Sequence, residues 1–370
     1  MRRITDWFRR RRSRTLTLPA SGRALIVSDL HGSLHDWQAF LRRTEAFDRI
    51  AAGEDLYVVL TGDVPDVTRH RAVDPRVPRD GDVRILDSLV EARARLGDRG
   101  RRIVYVEGNH DFHVARIATE VARFQAGRDG RRPPAPDELP SVDLGAYNAF
   151  CTNYRDTLGD AIFQNNIAPY DMVPRARSEH LRFITSGPVL LYMEGAGVMV
   201  IHAGPPRMAG RDPRRLRDEI DRARPSDLAT ASPEEYFASP YHQLLNNRFR
   251  HGDYGLEDLE AFCAAYSATA VVSGHTPHPY LLDFERGAPL EHCAFEDGVG
   301  RIGPRQLVLC TSFGAFVPAC KRYLDVDLTR RYADACELVQ DAVRPLYPPE
   351  EAEQPEVTPL PGTEIALRLL

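Results

Sequence analysis

Five apolar runs, each closed by residues that can ligate a metal, constrain the fold of this chain more than any other feature. The runs are Ala24-Leu25-Ile26-Val27, Tyr57-Val58-Val59-Leu60, Ile103-Val104-Tyr105-Val106, Val198-Met199-Val200-Ile201 and Ala270-Val271-Val272. After them, in order, come Ser28-Asp29-Leu30-His31-Gly32, Gly62-Asp63, Gly108-Asn109-His110-Asp111, His202-Ala203-Gly204 and Ser273-Gly274-His275-Thr276. Runs this short and this apolar read as buried strands. Strands that end in this way carry Asp, His and Asn side chains to one edge of a sheet. Carboxylates and imidazoles gathered at one point are the donor set of a divalent metal centre. One Gly-Asp turn or one histidine after a strand has an ordinary structural explanation, but five in series do not.

Between the first runs the period changes to that of a helix. Residues 33–47 place Leu34, Trp37, Phe40 and Leu41 on one face, residues 82–96 do the same with Val83, Leu86, Leu89 and Val90, and 112–124 follows. Strand, polar motif and helix in succession predict βαβ units, with ligands beyond the carboxyl ends of the strands. Residues 127–143, rich in Gly, Pro and Arg, read as a loop, and 144–158 as a helix. The stretch 127–175 reads as an insertion, either beside the site or merely packed on the surface. In the second half, 189–194 and 198–202 form an expected hairpin closed by Gly195-Ala196-Gly197. Residues 306–311 and 322–327 are expected strands of the same second sheet, and 330–343 an expected helix. The predicted fold is α/β, a four-layered α/β/β/α sandwich. Its domain spans 21–344, between a basic arm at 1–20 and a Pro/Glu-rich tail at 345–370.

Composition narrows the function classes. The net charge of −5 over 370 residues gives no global signature of nucleic-acid binding. Basic charge is almost wholly arginine, and Lys321 is the only lysine. The arm holds seven arginines with Ile4, Trp7 and Phe8. It reads as a solvated segment in preference to an amphipathic helix on an anionic membrane. The six cysteines form no Cys-x-x-Cys pair, and no run reaches signal-peptide or membrane-spanning character. The expected location is therefore cytoplasmic.

The five motifs together resemble those of the calcineurin-like metallophosphoesterases, whose pattern is Asp-x-His, Gly-Asp, Gly-Asn-His-Asp/Glu, His and Gly-His. The resemblance covers about residues 23–328. It implies two divalent ions, manganese first and iron or zinc as alternatives. Asp29, His31 and Asp63 would hold one ion. Asp63 would bridge to the second, which Asn109, His202 and His275 complete. One ion would generate hydroxide, and both would hold the phosphoryl oxygens during in-line attack. His110 would protonate the leaving group, and Asp66 would support its charged form.

Three details place the chain nearest bacterial protein serine/threonine phosphatases. Asp66 stands three residues after Asp63. The segment Asn246-Asn247-Arg248 resembles the family's Asn-x-Arg, and no second histidine stands two residues after His275. One departure is clear. Phosphoprotein phosphatases read Gly-Asp-x-x-Asp-Arg-Gly, whereas here Val67-Thr68 follows Asp66. Arg248 would then anchor phosphate, with Arg250 as its rival and Arg69 or Arg71 as loop substitutes. Asp111 is expected to be structural. The expected activity is hydrolysis of phosphomonoesters, on a phosphoprotein or a small phosphoester. The alternatives are hydrolysis of a dinucleoside tetraphosphate and metal-binding interaction without turnover.

Overall fold

The computed structural model describes residues 13–134, 141–223, 232–315 and 317–351. In chain order the strands are β1 (Thr15–Leu18), β2 (Arg23–Val27), β3 (Leu56–Leu60), β4 (Ile103–Tyr105), β5 (Leu190–Met193), β6 (Val198–Ile201) and β7 (Ala270–Ser273). They continue with β8 (Leu282–Asp283), β9 (Ala288–Pro289), β10 (Cys293–Glu296), β11 (Val299–Ile302), β12 (Gln306–Val308), β13 (Arg322–Asp327) and β14 (Val343–Pro345). One sheet runs β14-β13-β2-β3-β4 and the other β1-β5-β6-β7-β12-β11-β10, with β8 and β9 as a separate ribbon.

Side-chain alternation along the strands produces the layers. Ala24 and Ile26 of β2, Val59 of β3 and Val104 of β4 join Leu191, Val200, Val272 and Leu307 of the other sheet in one core. The intervening residues face outward. Leu25, Val27, Val58 and Leu60 pack under Trp37, Phe40, Ile85, Leu89 and Ile117 of the helices Leu34–Thr44, Gly81–Leu96 and Asn109–Arg128. On the far side, Leu190, Met199, Ile201 and Val271 pack against Leu216, Leu244, Leu259 and Phe262. Strands covered on both faces explain the near-continuous apolar runs, because neither face can carry polar residues. The fold is the expected α/β/β/α sandwich.

Several elements differ from expectation. β13 does not join the second sheet. It pairs antiparallel with β2, Leu324 opposite Ile26, and extends the first sheet. Its alternating pattern suits either sheet, so only long-range pairing decides. The segment expected as a basic arm contains β1, which pairs in parallel with β5. Arg14, just before it, is not solvated, for its Nη1 lies 2.9 Å from the buried Glu107 carboxylate. Residues 1–12 lie outside the described residues. At the other end, β14 pairs with β13 and Leu346 is buried, so the domain passes the expected boundary at 344. The terminal helix is shorter than expected, Ala335–Ala342. Residues 33–47 divide at Glu45, whose φ of 49° ends one helix and starts the next. Residues 352–370 of the tail and 135–140 of the loop lie outside the described residues.

Candidate metal centre

The strand ends converge as the motifs predict. β2, β3 and β4 run parallel to one another, as do β6 and β7, so their carboxyl ends face one region. Asp29 and His31 follow β2, Asp63 follows β3, His202 follows β6 and His275 follows β7. Asn109 and His110 open the helix after β4. All seven residues are buried.

Their backbones are unusual. Asp29, His31, Asp63, Asp66 and His275 all have positive φ, between 40° and 76°. This left-handed region costs a non-glycine residue on the order of 1–3 kcal/mol and persists only where the surroundings impose it. Here they do. The His31 amide donates to the Asp63 carbonyl at 2.9 Å, and the Gly32 amide to the Val64 carbonyl at 2.9 Å. Asp111 Oδ2 accepts from the amides of Asp63 at 3.1 Å and Gly108 at 2.8 Å, while its Oδ1 accepts from the Tyr105 hydroxyl at 2.7 Å. Asp111 therefore ties the second motif to the third. The glycines before the polar residues are required by crowding. A Cβ on Gly108 would lie 2.3 Å from Asp63 Oδ1, and one on Gly274 would lie 2.0 Å from Asp29 Oδ2.

Asp63 is the hub. Its Oδ1 accepts from the His110 amide at 3.0 Å. Its Oδ2 lies 3.2 Å from Nε2 of His202, 3.7 Å from Nε2 of His31 and 3.9 Å from Nε2 of His110. Two triads of ligand atoms share it: His31-Asp63-His110 and Asp63-His202-His275. Asn109 Oδ1 completes the second group, 2.9 Å from His202 Nε2 and 3.0 Å from His275 Nδ1. The remaining ring nitrogens are held from behind. His202 Nδ1 donates to the Thr61 carbonyl at 2.6 Å, and His275 Nε2 to the Asn246 carbonyl at 3.2 Å. Such bonds fix the tautomer and leave the inward nitrogen as a lone-pair donor. Asp29 lies outside both triads. Its Oδ1 is 3.9 Å from His31 Nε2, and both of its oxygens accept from the His275 amide. Each oxygen keeps a further lone pair for a cation.

The electrostatics fit a cation site. Burial pushes the Asp29 carboxyl up, and the neighbouring Asp63 adds to that push. Burial alone would also raise Asp63, but the imidazoles of His202 and His110 hold it as a carboxylate. Burial drives His31 down to about 4 and His275 well below the ordinary range, so both rings are neutral and able to ligate. Burial opposes a charge on His202 too, but Asp63 beside it raises the ring to about 9, so a cation bound there would take the place of that proton. With the neutral His31 and His275 rings, these carboxylates suit a divalent ion.

Around this centre lie the other expected residues. His110 Nδ1 faces Asp66 Oδ2 at 3.2 Å. Asp66 also caps the helix Val67–Arg71, its Oδ1 accepting from the Arg69 amide at 3.1 Å. Burial raises the Asp66 carboxyl to about 6, and burial lowers His110 well below its ordinary range. Burial thus works against the imidazolium expected of His110. Arg248 donates from Nη2 to the His275 carbonyl at 3.3 Å, and its buried Nε has no partner. Arg250 turns away, bonding the Leu282 carbonyl at 2.7 Å and lying over Phe284. Arg69 stands 3.2 Å from Asp66 Oδ2, close enough for its charge to act on His31 and His110.

The profile of the calcineurin-like phosphoesterases matches residues 22–279. The chain belongs to that family. It is a metallophosphoesterase, and its family binds two divalent ions at such a site. No curated protein matches the sequence. Among solved structures, a cold-active protein-tyrosine phosphatase of a psychrophilic Shewanella species is similar at 13% identity and a TM-score of 0.43. The match covers 85% of this chain and 77% of that one. A protein serine/threonine phosphatase from Saccharomyces cerevisiae is similar at 11% identity and a TM-score of 0.45, covering 86% of this chain and 78% of that one.

The motifs did not disclose three further features of this metallophosphoesterase. Tyr170, in the stretch 127–175, packs its ring 5.6 Å from that of His110, so part of that stretch lies beside the site. Glu107, just before the third motif, is buried between Arg14 and the Tyr241 hydroxyl, which donates to it at 2.8 Å. Asp36, one turn into the first helix, is buried against Lys321 Nζ at 2.6 Å. A buried Glu beside a ligand motif and a solitary Lys were visible in the sequence, but their partners lie far away in the chain.

Proposed function

We propose that this metallophosphoesterase hydrolyses phosphomonoesters, most in the manner of a protein serine/threonine phosphatase. Asp29, His31 and Asp63 would hold one ion, and Asp63, Asn109, His202 and His275 the other, with manganese first in preference. When bound, the ions lower the pKa of water and stabilise charge on the phosphoryl oxygens. The residues of the chain do the rest. Arg248 offers an unpartnered guanidinium nitrogen to the phosphate, as a charge-assisted donor. A dianionic ester docked there adds the negative charge that brings a proton onto His110. His110, with Asp66 behind it, delivers that proton to the departing oxygen.

The observation that carries this reading is the convergence of the His202, His31 and His110 Nε2 atoms on Asp63 Oδ2, with Asp66 behind His110. A pure scaffold has no use for that last pair. The phosphorylated partner would be a phosphoprotein or a small phosphoester. Among the described residues no helix is long and apolar enough to cross a membrane, and all six cysteines are free thiols. Both support the cytoplasmic location we favour. The test is a substrate panel in Mn²⁺, comprising nitrophenyl phosphate, its bis-ester, phosphoserine peptides and a dinucleoside tetraphosphate. Monoesters should be turned over fastest, and a clear preference for the dinucleotide would replace this reading.

A further inference from the structure

The chain lacks the arginine that phosphoprotein phosphatases carry after the second Asp of their loop, and Val67 stands there instead. The insertion comes to that same place. Its turn Ala168–Tyr170 packs against the helix Val67–Arg71. The Tyr170 ring lies 5.6 Å from the His110 ring and 5.6 Å from that of His113, one helical turn further on. The residue is only 5% exposed, yet its hydroxyl has no hydrogen-bond partner among the described residues. The charges of Asp66, Arg69, Asp63 and Arg116 all act on that hydroxyl. The insertion is pinned in this position. Tyr147 donates to the Tyr170 carbonyl at 3.3 Å, and Arg175 binds Asp171 at 3.0 Å and the Arg79 carbonyl at 2.5 Å. A phenol is protonated at neutral pH and can donate to an anion.

We infer that Tyr170 is a further substrate-binding residue, whose hydroxyl donates a hydrogen bond to the phosphoryl group in place of the missing loop arginine. The inference rests on the phosphomonoesterase reading for its consequence in catalysis, but phosphate binding tests it directly. Tyr170→Phe keeps the ring and removes only the donor. In the Mn²⁺-loaded protein, titration calorimetry with inorganic phosphate should show affinity weakened about ten- to a hundredfold, the worth of one hydrogen bond to a charged acceptor. kcat/KM for nitrophenyl phosphate should fall by a similar factor, with the thermal midpoint and manganese content unchanged. A structural role would move the midpoint and leave phosphate affinity alone. Phosphate affinity within error of wild type, at an unchanged midpoint, overturns the inference and leaves the phosphomonoesterase reading standing. Wild-type protein that binds no phosphate overturns the inference as well. Tight, Tyr170-dependent phosphate binding without monoester turnover supports it and counts against the reading of function alone.

Discussion

Nδ1 of His110 lies 3.2 Å from Oδ2 of Asp66, while Oδ1 of the same carboxyl caps the helix that follows it. One side chain thus fixes the entry of a helix and aims an imidazole at the metal centre. Because the cap holds Asp66 in the left-handed region at φ 76°, the carboxyl cannot rotate away from His110 without losing the helix start.

His110→Asn should retain both metals and lower kcat about 10²–10⁴-fold, the usual worth of a positioned acid. The loss should be much smaller for nitrophenyl phosphate, whose leaving group needs little protonation, than for a phosphoserine peptide. Asp66→Asn should repeat that leaving-group dependence in weaker form. Equal losses on both substrates would rule out the acid role.

Asp63→Asn should abolish activity through metal loss. The amide removes the charge on which three imidazoles converge, and both triads share it. Metal analysis after desalting should find fewer than two ions per chain. Retention of two ions together with turnover would mean that Asp63 does not bridge.

Arg248→Ala should cut kcat/KM for monoesters about ten- to a hundredfold, since one charge-assisted hydrogen bond is worth roughly 1.5–3 kcal/mol. Arg250→Ala should do little, because its guanidinium is committed to the Leu282 carbonyl and Phe284. Diesters, with one fewer charged oxygen, should depend less on Arg248. Comparing the two variants on a monoester and a diester decides between them.

Arg14→Met should destabilise the fold by about 3–5 kcal/mol, because it leaves the buried Glu107 charge without its cation. Glu107→Gln in the same chain should restore much of the loss. A denaturation midpoint unchanged by Arg14→Met would return Arg14 to the solvated arm.

Burial alone would raise the Asp36 carboxyl, but Lys321 beside it holds the group well below the ordinary carboxylate range. A depressed folded pKa contributes stability above the unfolded value of about 4, and that stability is lost as pH falls further. Lys321→Met removes the cation and leaves a buried carboxylate at neutral pH. The variant should be less stable at pH 7 by about 3–5 kcal/mol. The gap should narrow as pH falls towards about 4, because acid then protonates Asp36 in the variant, whereas in the wild type Lys321 keeps it ionised. Thermal midpoints from pH 7 down to about 4 measure it, and a gap independent of pH would contradict the pairing.

By itself the sequence determined the layered α/β plan, the strands that carry the site and the set of residues gathered there. The reason is local. A strand buried on both faces must be apolar throughout, so its end is marked by the first polar residue. Glycines beside Asp63 and before Asp29's neighbour His275 mark the crowding. The tertiary structure alone decided the rest. It placed Arg322–Asp327 beside β2 instead of in the second sheet, because alternation defines a strand's faces and says nothing of its neighbour. It sent Arg248 to the His275 carbonyl and Arg250, two residues on, to the Leu282 carbonyl. It joined Arg14 to Glu107, Asp36 to Lys321 and Tyr170 to His110, across 93, 285 and 60 positions of the chain. Such pairs leave no local period, because what selects them is burial: a charge excluded from water must find its partner, and a ring its packing, wherever the packed layers bring one.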